Sequence, residues 1–265
     1  MRIGLLADIH SNLPALDAAL RALKLAGVDA IAVAGDTIGY GPFPNECIDA
    51  VRASTDLVVA GNHELYLIGP PADAQYGRLA EESLLWTRKR LGQRQWDWLR
   101  ALPRHAEVAN AVVTHASLEN SHEYVVRPRQ VARQLQLLRL SHPASEVLVL
   151  GHTHAPMYKA EGRRVEVAPL RRRHYEPHTH LLINPGSVGQ SRQWERTPRA
   201  RFAILDVTAR EIRWFALRYD HKAMLRGLID AGLPLRNIHF RPTATDAVKR
   251  VLRRRTDLHW RARQA

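Results

Sequence analysis

The chain reads as a layered α/β protein. Short apolar runs of strand length alternate with segments whose apolar residues recur at helical spacing, and much of the second half turns to strand-like runs. With 265 residues, 45% hydrophobic and 25% charged, it can bury one core with an appendage and is too apolar to be disordered in bulk.

The first run, RIGLLA, is followed by Ser11 and Asn12, either of which can cap a helix, and by Leu13, Leu16, Leu20 and Leu23 at helical spacing. AIAVAG leads through the Gly- and Pro-rich GYGPFP loop to a helical NECIDAVRAS, and DLVVAG, read as a third strand, ends in GNHE. This β-α-β-α-β opening favours parallel strands. Residues 66–104 read as helical in the middle, with Trp86, Trp96 and Trp98 placed among leucines like packing residues rather than base-stacking ones. From about residue 106, AEVANAVVTHA, EVLVLGHTH, RRVEVAPL, HLLINPGS, RFAILDVT and EIRWFALRY read as strands. Amphipathic segments around 224–229 and 248–252 follow. The change of character near residue 218 divides the chain into 1–218 and a helical, basic extension, 219–265.

Lys plus Arg exceed Asp plus Glu by 13, and nearly half of that excess lies in residues 241–265, where only Asp246 and Asp257 oppose the basic residues. Such a helix, with VLRRR at its centre, is either a solvated face or a nucleic-acid contact. No uncharged apolar run reaches the about 18 residues of a membrane span, and Asp8 interrupts the opening run before it can serve as a signal-peptide core. The expectation is a cytoplasmic protein with no membrane partner. A single cysteine, Cys47, forms no internal disulfide and no thiolate cluster, and reads as a small buried hydrophobe. A metal site must therefore use His, Asp, Glu and Asn, and the chain holds 14 histidines.

Asp8-Ile9-His10, Gly35-Asp36, Gly61-Asn62-His63-Glu64, His115 and Gly151-His152-Thr153-His154 all fall just after apolar runs. In layered α/β folds the loops at strand C-terminal ends converge on one crevice. Asp-x-His and His-x-His on extended turns send alternate side chains the same way, toward a common ion. Pooling Asp8, His10, Asp36, Asn62, His115, His152 and His154 gives a nitrogen and oxygen donor set. That set suits Mn, Fe, Zn, Co or Ni better than Ca or Mg. The donors are too many for one ordinary site and right for two ions sharing a carboxylate. GNHE is no phosphate cradle and no GxxxxGK[ST] occurs, so ATP-driven chemistry has no support.

In this order the motifs D-x-H, G-D, G-N-H-[DE], H and G-H-x-H resemble the calcineurin-like metallophosphoesterase superfamily. The loops GYGPFPNE and NPGSVGQSR resemble its small bacterial and archaeal phosphodiesterase branch, over roughly residues 1 to 215. The resemblance implies a four-layer α/β/β/α sandwich, here with a C-terminal helical extension. It implies two divalent transition-metal ions, Mn foremost. Asp8, His10, Asp36 and His154 would hold one ion, and Asp36, Asn62, His115 and His152 the other, with Asp36 as the bridge. His63 would stand beside the ions as the catalytic residue, steadying phosphoryl oxygens or protonating the departing alkoxide. Glu64 is expected to orient a neighbour such as His10.

Two dications against two carboxylates leave a positive site, and ions about 3.5–4 Å apart lower the pKa of a bridging water for in-line attack at phosphorus. No Ser or Cys nucleophile is needed. The expected activity is hydrolysis of phosphate mono- or diesters, with nucleotide-type small molecules such as dinucleoside polyphosphates as substrates. One alternative is a nuclease on single-stranded nucleic acid, which needs a long basic groove. Another is a non-catalytic protein-binding scaffold on the same fold, as in the retromer subunit that resembles these enzymes. The basic tail could also recruit a partner independently of catalysis.

Among Arg171, Arg172, Arg173 and Arg192, Arg192 is the candidate substrate contact because it follows NPGS; the others read as solvated loop charge. HYEPHTH, with His174, His178 and His180, reads as a polar hairpin loop interrupted by Pro177. Asn184, Gly186 and Ser187 are expected to shape a loop at the site's edge.

Overall fold

A computed structural model describes residues 1–69, 76–167 and 171–239. The basic segment 241–265, and the helical pattern within it, lie outside the described residues. Two mixed sheets pack face to face. The first holds β1 (Arg2–Leu6), β2 (Ala30–Val33), β8 (Arg172–His174), β10 (Ala200–Asp206) and β11 (Glu211–Leu217), in the order β2-β1-β10-β11-β8. The second holds β3 (His105–Val108), β4 (Ala111–Thr114), β5 (Val147–Val149), β6 (Met157–Ala160), β7 (Glu166–Val167) and β9 (Leu181–Asn184), in the order β3-β4-β5-β9-β6-β7.

Strand alternation explains the layering. In β1 and β10, Ile3, Leu5, Ala203 and Leu205 face the opposite sheet and meet Ala111, Val113, Val149 and Ile183 there. The residues of opposite parity, Phe202 and Ile204, turn outward to helices α1 (Leu13–Ala26) and α2 (Pro44–Arg52). On the far side, Val112, Leu148 and Leu182 pack beneath α6 (Pro128–Ser141) through Val131, Leu135 and Leu138. The result is helices, sheet, sheet, helix. Asn12 caps α1 by accepting from the Ala15 N–H, and Gly27, at φ 63°, ends it. A third helical group, α3 (Asn62–Ile68), α4 (Arg78–Arg88) and α5 (Gln93–Ala101), packs around Ile38, Leu67, Leu84 and Leu99, with Trp96 and Trp98 against it. Then α7 (His221–Asp230) and a 3₁₀ turn (Leu235–Ile238) cluster with Phe43 and Trp86.

Four sequence expectations change. DLVVAG makes only an isolated parallel bridge, Val33 to Val58: Leu57 O and Val59 N–H bond Val33, but the next amide on that side, Gly61 N–H, donates to Glu64 Oε2 instead. RRVEVAPL contributes only the short β7 among its described residues. α6 falls between the strand-like runs AEVANAVVTHA and EVLVLGHTH, where the sequence reading names no element; its buried Val131, Gln134, Leu135 and Leu138 show helical spacing. HYEPHTH is no hairpin loop: β8 and β9 belong to different sheets, so this segment crosses between them. Likewise Arg172 and Arg173 stand on β8, paired with Glu211 and Glu166.

The sheets are also tied by a polar contact. Trp214 Nε1 on β11 donates to the Asn184 carbonyl on β9 at 2.9 Å. Trp214→Phe is expected to lower the unfolding free energy by about 1–2 kcal/mol while keeping the fold, as read by urea denaturation. A change under about 0.3 kcal/mol would show that the bond adds nothing to sheet docking.

Candidate metal centre

The strands that deliver the motifs run parallel, β1 with β2 and β4 with β5 and β9, so their C-terminal ends open toward one side. Asp8 and His10 follow β1, Asp36 follows β2, His115 follows β4, His152 and His154 follow β5, and Asn62 opens α3. All seven candidate ligands are buried. Their donor atoms form overlapping groups within 4.8 Å: Asp8, His10 and His154; His10, Asp36 and His63; Asp36, His115 and His152. Asn62 Oδ1 joins the last group, 2.9 Å from His115 Nε2.

The loops do not reach this arrangement by extended alternation. Asp8, His10, Asp36, His152 and His154 all have φ between 51° and 63°, in the left-handed region. Backbone bonds hold these turns: Asp8 N–H to Gly35 O at 3.1 Å, His10 N–H to Asp36 O at 2.9 Å, and Gly189 N–H to Asp8 O at 3.0 Å. The loops touch so closely that a Cβ on Gly61 would sit 2.2 Å from Asp36 Oδ1, which excludes any side chain there.

Glu64 does not orient His10. Its carboxylate accepts from the backbone N–H groups of Asp36 (2.9 Å), Gly61 (2.8 Å) and Ile38 (3.1 Å), so it shapes the Asp36 loop itself. The His10 ring is held by the Ile38 carbonyl, at 3.1 Å from Nδ1. His154 Nδ1 similarly faces the Gln190 carbonyl at 2.9 Å. A carbonyl only accepts, so both Nδ1 atoms carry the proton and both Nε2 atoms carry lone pairs. Burial, with neighbouring positive charge, holds both rings well below the ordinary imidazole pKa and hence neutral. Their Nε2 atoms nevertheless stand 3.1 Å apart, two lone pairs face to face, beside an Asp8 Oδ2 that is buried without a partner. A cation is what satisfies that geometry.

The second group gives the same answer. His115 Nδ1 donates to the Ala34 carbonyl at 2.8 Å, and Nε2 faces Asp36 Oδ2 at 3.3 Å. Burial alone would lower the His115 pKa, but Asp36 drives it up to about 9, so a proton fills the place between these acceptors. Against the same burial, His115 and His63 hold Asp36 well below the carboxylate range. Burial raises Asp8 to about 7 and, with Asp36, Glu64 to about 7, and it lowers His63 to about 4. His152 Nε2 donates to the His122 carbonyl at 3.2 Å, which leaves Nδ1 as its donor atom for a metal.

His63 lies on the pocket side with its ring against Tyr40 (centroids 4.9 Å apart) and Nε2 3.8 Å from Asp36 Oδ2. The pocket above the centre is lined by Tyr40, Tyr76, His122, Tyr124 and Arg192 as well as by the motif residues. Arg192 is half-buried; its guanidinium donates to Gln190 Oε1 at 3.2 Å and to the Tyr124 hydroxyl at 3.3 Å. Tyr40, Tyr76, His122 and Tyr124 carry no motif, and only Tyr40, inside GYGPFP, had a sequence signal near it. Asn184, Gly186 and Ser187 do shape the site's edge, with Gly186 at φ 88° and Ser187 Oγ donating to the Asp8 carbonyl at 2.8 Å.

A two-sheet α/β sandwich that gathers imidazoles and carboxylates at its strand ends, in a geometry asking for divalent cations, defines a metal-dependent hydrolase. Residues 1–210 match the Calcineurin-like phosphoesterase superfamily domain, and the chain belongs to that superfamily. It is a hydrolase of phosphoric ester bonds. An uncharacterized protein of Methanocaldococcus jannaschii is 28% identical over 238 residues, 88% of this chain and 93% of that one. Among solved structures, a metallophosphoesterase from Sphaerobacter thermophilus is 30% identical with a TM-score of 0.72, covering 90% of this chain and 97% of its own. A hypothetical protein from Pyrococcus horikoshii OT3 shares the fold at 20% identity and a TM-score of 0.72, covering 89% of this chain and 96% of its own. Among the described residues no helix is long and apolar enough to cross a membrane.

Metal uptake must displace protons from this centre. Below about pH 7 both Asp8 and His115 hold a proton that a bound ion replaces; between about 7 and 9 only His115 does. Affinity for Mn is therefore expected to rise from pH 6 to pH 9, more steeply at the acid end. Titration calorimetry in buffers of different ionisation enthalpy should read proton release that shrinks as pH rises. An affinity independent of pH over that range would contradict these protonation states.

Proposed function

We propose that the protein hydrolyses phosphate mono- or diesters of nucleotide-type small molecules, dinucleoside polyphosphates among them. The observation that carries this reading is the pocket: overlapping clusters of buried His and Asp side chains at its floor, aromatic rings on its walls, and one guanidinium at its edge. Asp8, His10, Asp36 and His154 are assigned to one ion and Asp36, Asn62, His115 and His152 to the other. The nitrogen and oxygen donors suit Mn first, with Fe, Zn, Ni or Co as substitutes. When bound, such ions supply an activated water and positive charge for the phosphoryl group.

The chain's own residues do the rest. Arg192 offers paired N–H donors to a phosphate oxygen or to a distal phosphate. Tyr124 is 47% exposed, with its ring 4.1 Å from that of His152, and Tyr76 meets His122 edge-on at 5.4 Å. These rings present apolar faces on which a nucleobase can stack. A pocket walled by Gly77 and Ala80 at the start of α4 and by Tyr124 favours a small molecule over a polymer, which needs an open groove. His63 is the catalytic residue beside the ions. Burial keeps its ring neutral, so it offers one N–H to a phosphoryl oxygen rather than a proton to the leaving group.

The deciding experiment is a screen of Mn-loaded protein against bis-p-nitrophenyl phosphate, nucleotides, dinucleoside polyphosphates and single-stranded DNA. Turnover of the small esters, lost together with both ions in Asp36→Asn, is expected. Salt-sensitive degradation of DNA without small-ester turnover would replace this reading with a nuclease, and no turnover of any substrate would favour a binding scaffold. In His63→Ala, metal content should hold while kcat drops about 10²–10³-fold, by similar factors for nitrophenyl and alkyl leaving groups. A loss concentrated on the poor leaving groups would instead make His63 a proton donor.

A further inference from the structure

Asn237 lies in the 3₁₀ turn after α7, remote in sequence from every metal motif, yet it is 1% exposed. Its side-chain Nδ2 donates to the Tyr40 carbonyl at 2.7 Å, and its backbone carbonyl accepts from Gln190 Nε2 at 3.1 Å. These contacts reach two different walls of the pocket. The Tyr40 ring packs on His10 and His63, with centroids 4.8 and 4.9 Å away. The oxygen of the Gln190 amide accepts from both Nε and Nη2 of Arg192, each at 3.2 Å, and the Gln190 side chain also bonds the Tyr40 hydroxyl.

We propose that Asn237 is a positioning residue for substrate binding, a clip from the C-terminal segment that holds Tyr40 and Gln190 so that Arg192 is aimed into the pocket. The proposal rests on the phosphoesterase reading given above and on Arg192 as its phosphate contact.

The chemistry of the amide makes the case. A glutamine side chain has two ends of the same shape and opposite character, one donating and one accepting. The Asn237 backbone carbonyl claims the donating end of Gln190, so the accepting end faces Arg192, whose guanidinium has donors only. Were that anchor withdrawn, the amide could turn and set N–H against N–H. Tyr40 needs the clip for a second reason. It holds φ 57° without being glycine, and such a conformation persists only where its surroundings fix it. Both of its backbone polar groups are held by side chains, the N–H by Ser83 Oγ at 3.0 Å and the carbonyl by Asn237. The turn is also tied down apart from Asn237, through buried Leu233 and Ile238 and through His239 Nε2 to the Gln193 carbonyl at 3.0 Å. Replacing one side chain therefore disturbs the clip more than the fold.

Asn237→Asp sets a carboxylate oxygen against the Tyr40 carbonyl, which drives the two apart and strains the backbone carbonyl's hold on Gln190; Asn237→Ala only removes the donor to Tyr40 and leaves that backbone carbonyl in place. With Mn-loaded full-length protein and bis-p-nitrophenyl phosphate, KM is expected to rise about tenfold in Asn237→Asp and about threefold in Asn237→Ala. The value of kcat should stay within about twofold and both ions should remain bound. The inhibition constant of inorganic phosphate should rise in parallel. In an Arg192→Ala background, whose own KM is raised, Asn237→Asp should add less than about twofold, because the two act through one contact. An unchanged KM in both variants, losses that multiply with Arg192→Ala, or loss of metal in place of affinity would each overturn the proposal. A wild type that turns over no phosphoester would overturn the functional reading instead. The clip would then be tested by calorimetric binding of inorganic phosphate to the Mn-loaded protein, weakened in Asn237→Asp if the proposal holds and unchanged if it does not.

Discussion

Two neutral imidazoles, His10 and His154, point their unprotonated Nε2 atoms at each other from 3.1 Å, with the unpartnered Asp8 Oδ2 close by, and much of the surrounding structure serves to keep them there. Nothing in the chain's own chemistry makes that arrangement favourable, since lone pairs repel and burial removes the water that would separate them. A divalent ion turns the same geometry from a cost into a gain, because each lone pair becomes a ligand. The backbone contributes to that cost as well. Non-glycine residues in the left-handed region carry on the order of 1 kcal/mol or more each, and five candidate ligands do so. The sandwich offsets this strain with an inter-sheet core of fully buried Ile, Leu and Val, so the loops at its open end are fixed by a scaffold that does not depend on them.

The neighbours of the ligands matter as much as the ligands. Each imidazole is oriented by a backbone carbonyl on a different loop: Ile38 for His10, Ala34 for His115, His122 for His152 and Gln190 for His154. Asp36 is held through Oδ1 by the His63 N–H at the start of α3, and the Asp36 N–H is held in turn by Glu64. A change in any one loop therefore propagates to a ligand on another. Glu64 is central to this lattice because its carboxylate gathers three amides from two loops, and that binding of the ionised form opposes the burial that raises its pKa.

How much of this was legible in the sequence follows from what each feature depends on. Alternation in RIGLLA and RFAILDVT displays the two faces of a strand, and these resolve into Ile3 and Leu205 between the sheets and Phe202 beneath α1 and α2. The ligand motifs were readable because chelation needs particular side chains at fixed spacing. The turns were not: nothing in Asp-x-His distinguishes an extended dipeptide step from one at φ 54° and 51°, since the deciding bonds come from Gly35 and Asp36 on another strand end. DLVVAG looks like a strand because its composition is that of one; the Glu64 carboxylate takes the Gly61 amide that would have extended it. Tyr124, His122 and Asn237 escaped for a different reason. Their positions follow from packing between distant segments and leave no local pattern.

The residues of the site also divide by the kind of element that carries them. The candidate ligands stand at the ends of strands and at the start of α3, where the core fixes the backbone. The other residues that line the pocket come from elsewhere: Tyr76 just before α4, His122 and Tyr124 from the segment between β4 and α6, Arg192 from the loop after β9. Side chains on such connections can change without disturbing a core or a ligand, whereas a change at Gly61 or Asp36 disturbs both at once. This separation gives a physical reason for one phosphoesterase frame to serve many substrates: the centre that handles the phosphoryl group is built into the scaffold, and the surface that chooses what is attached to it is not.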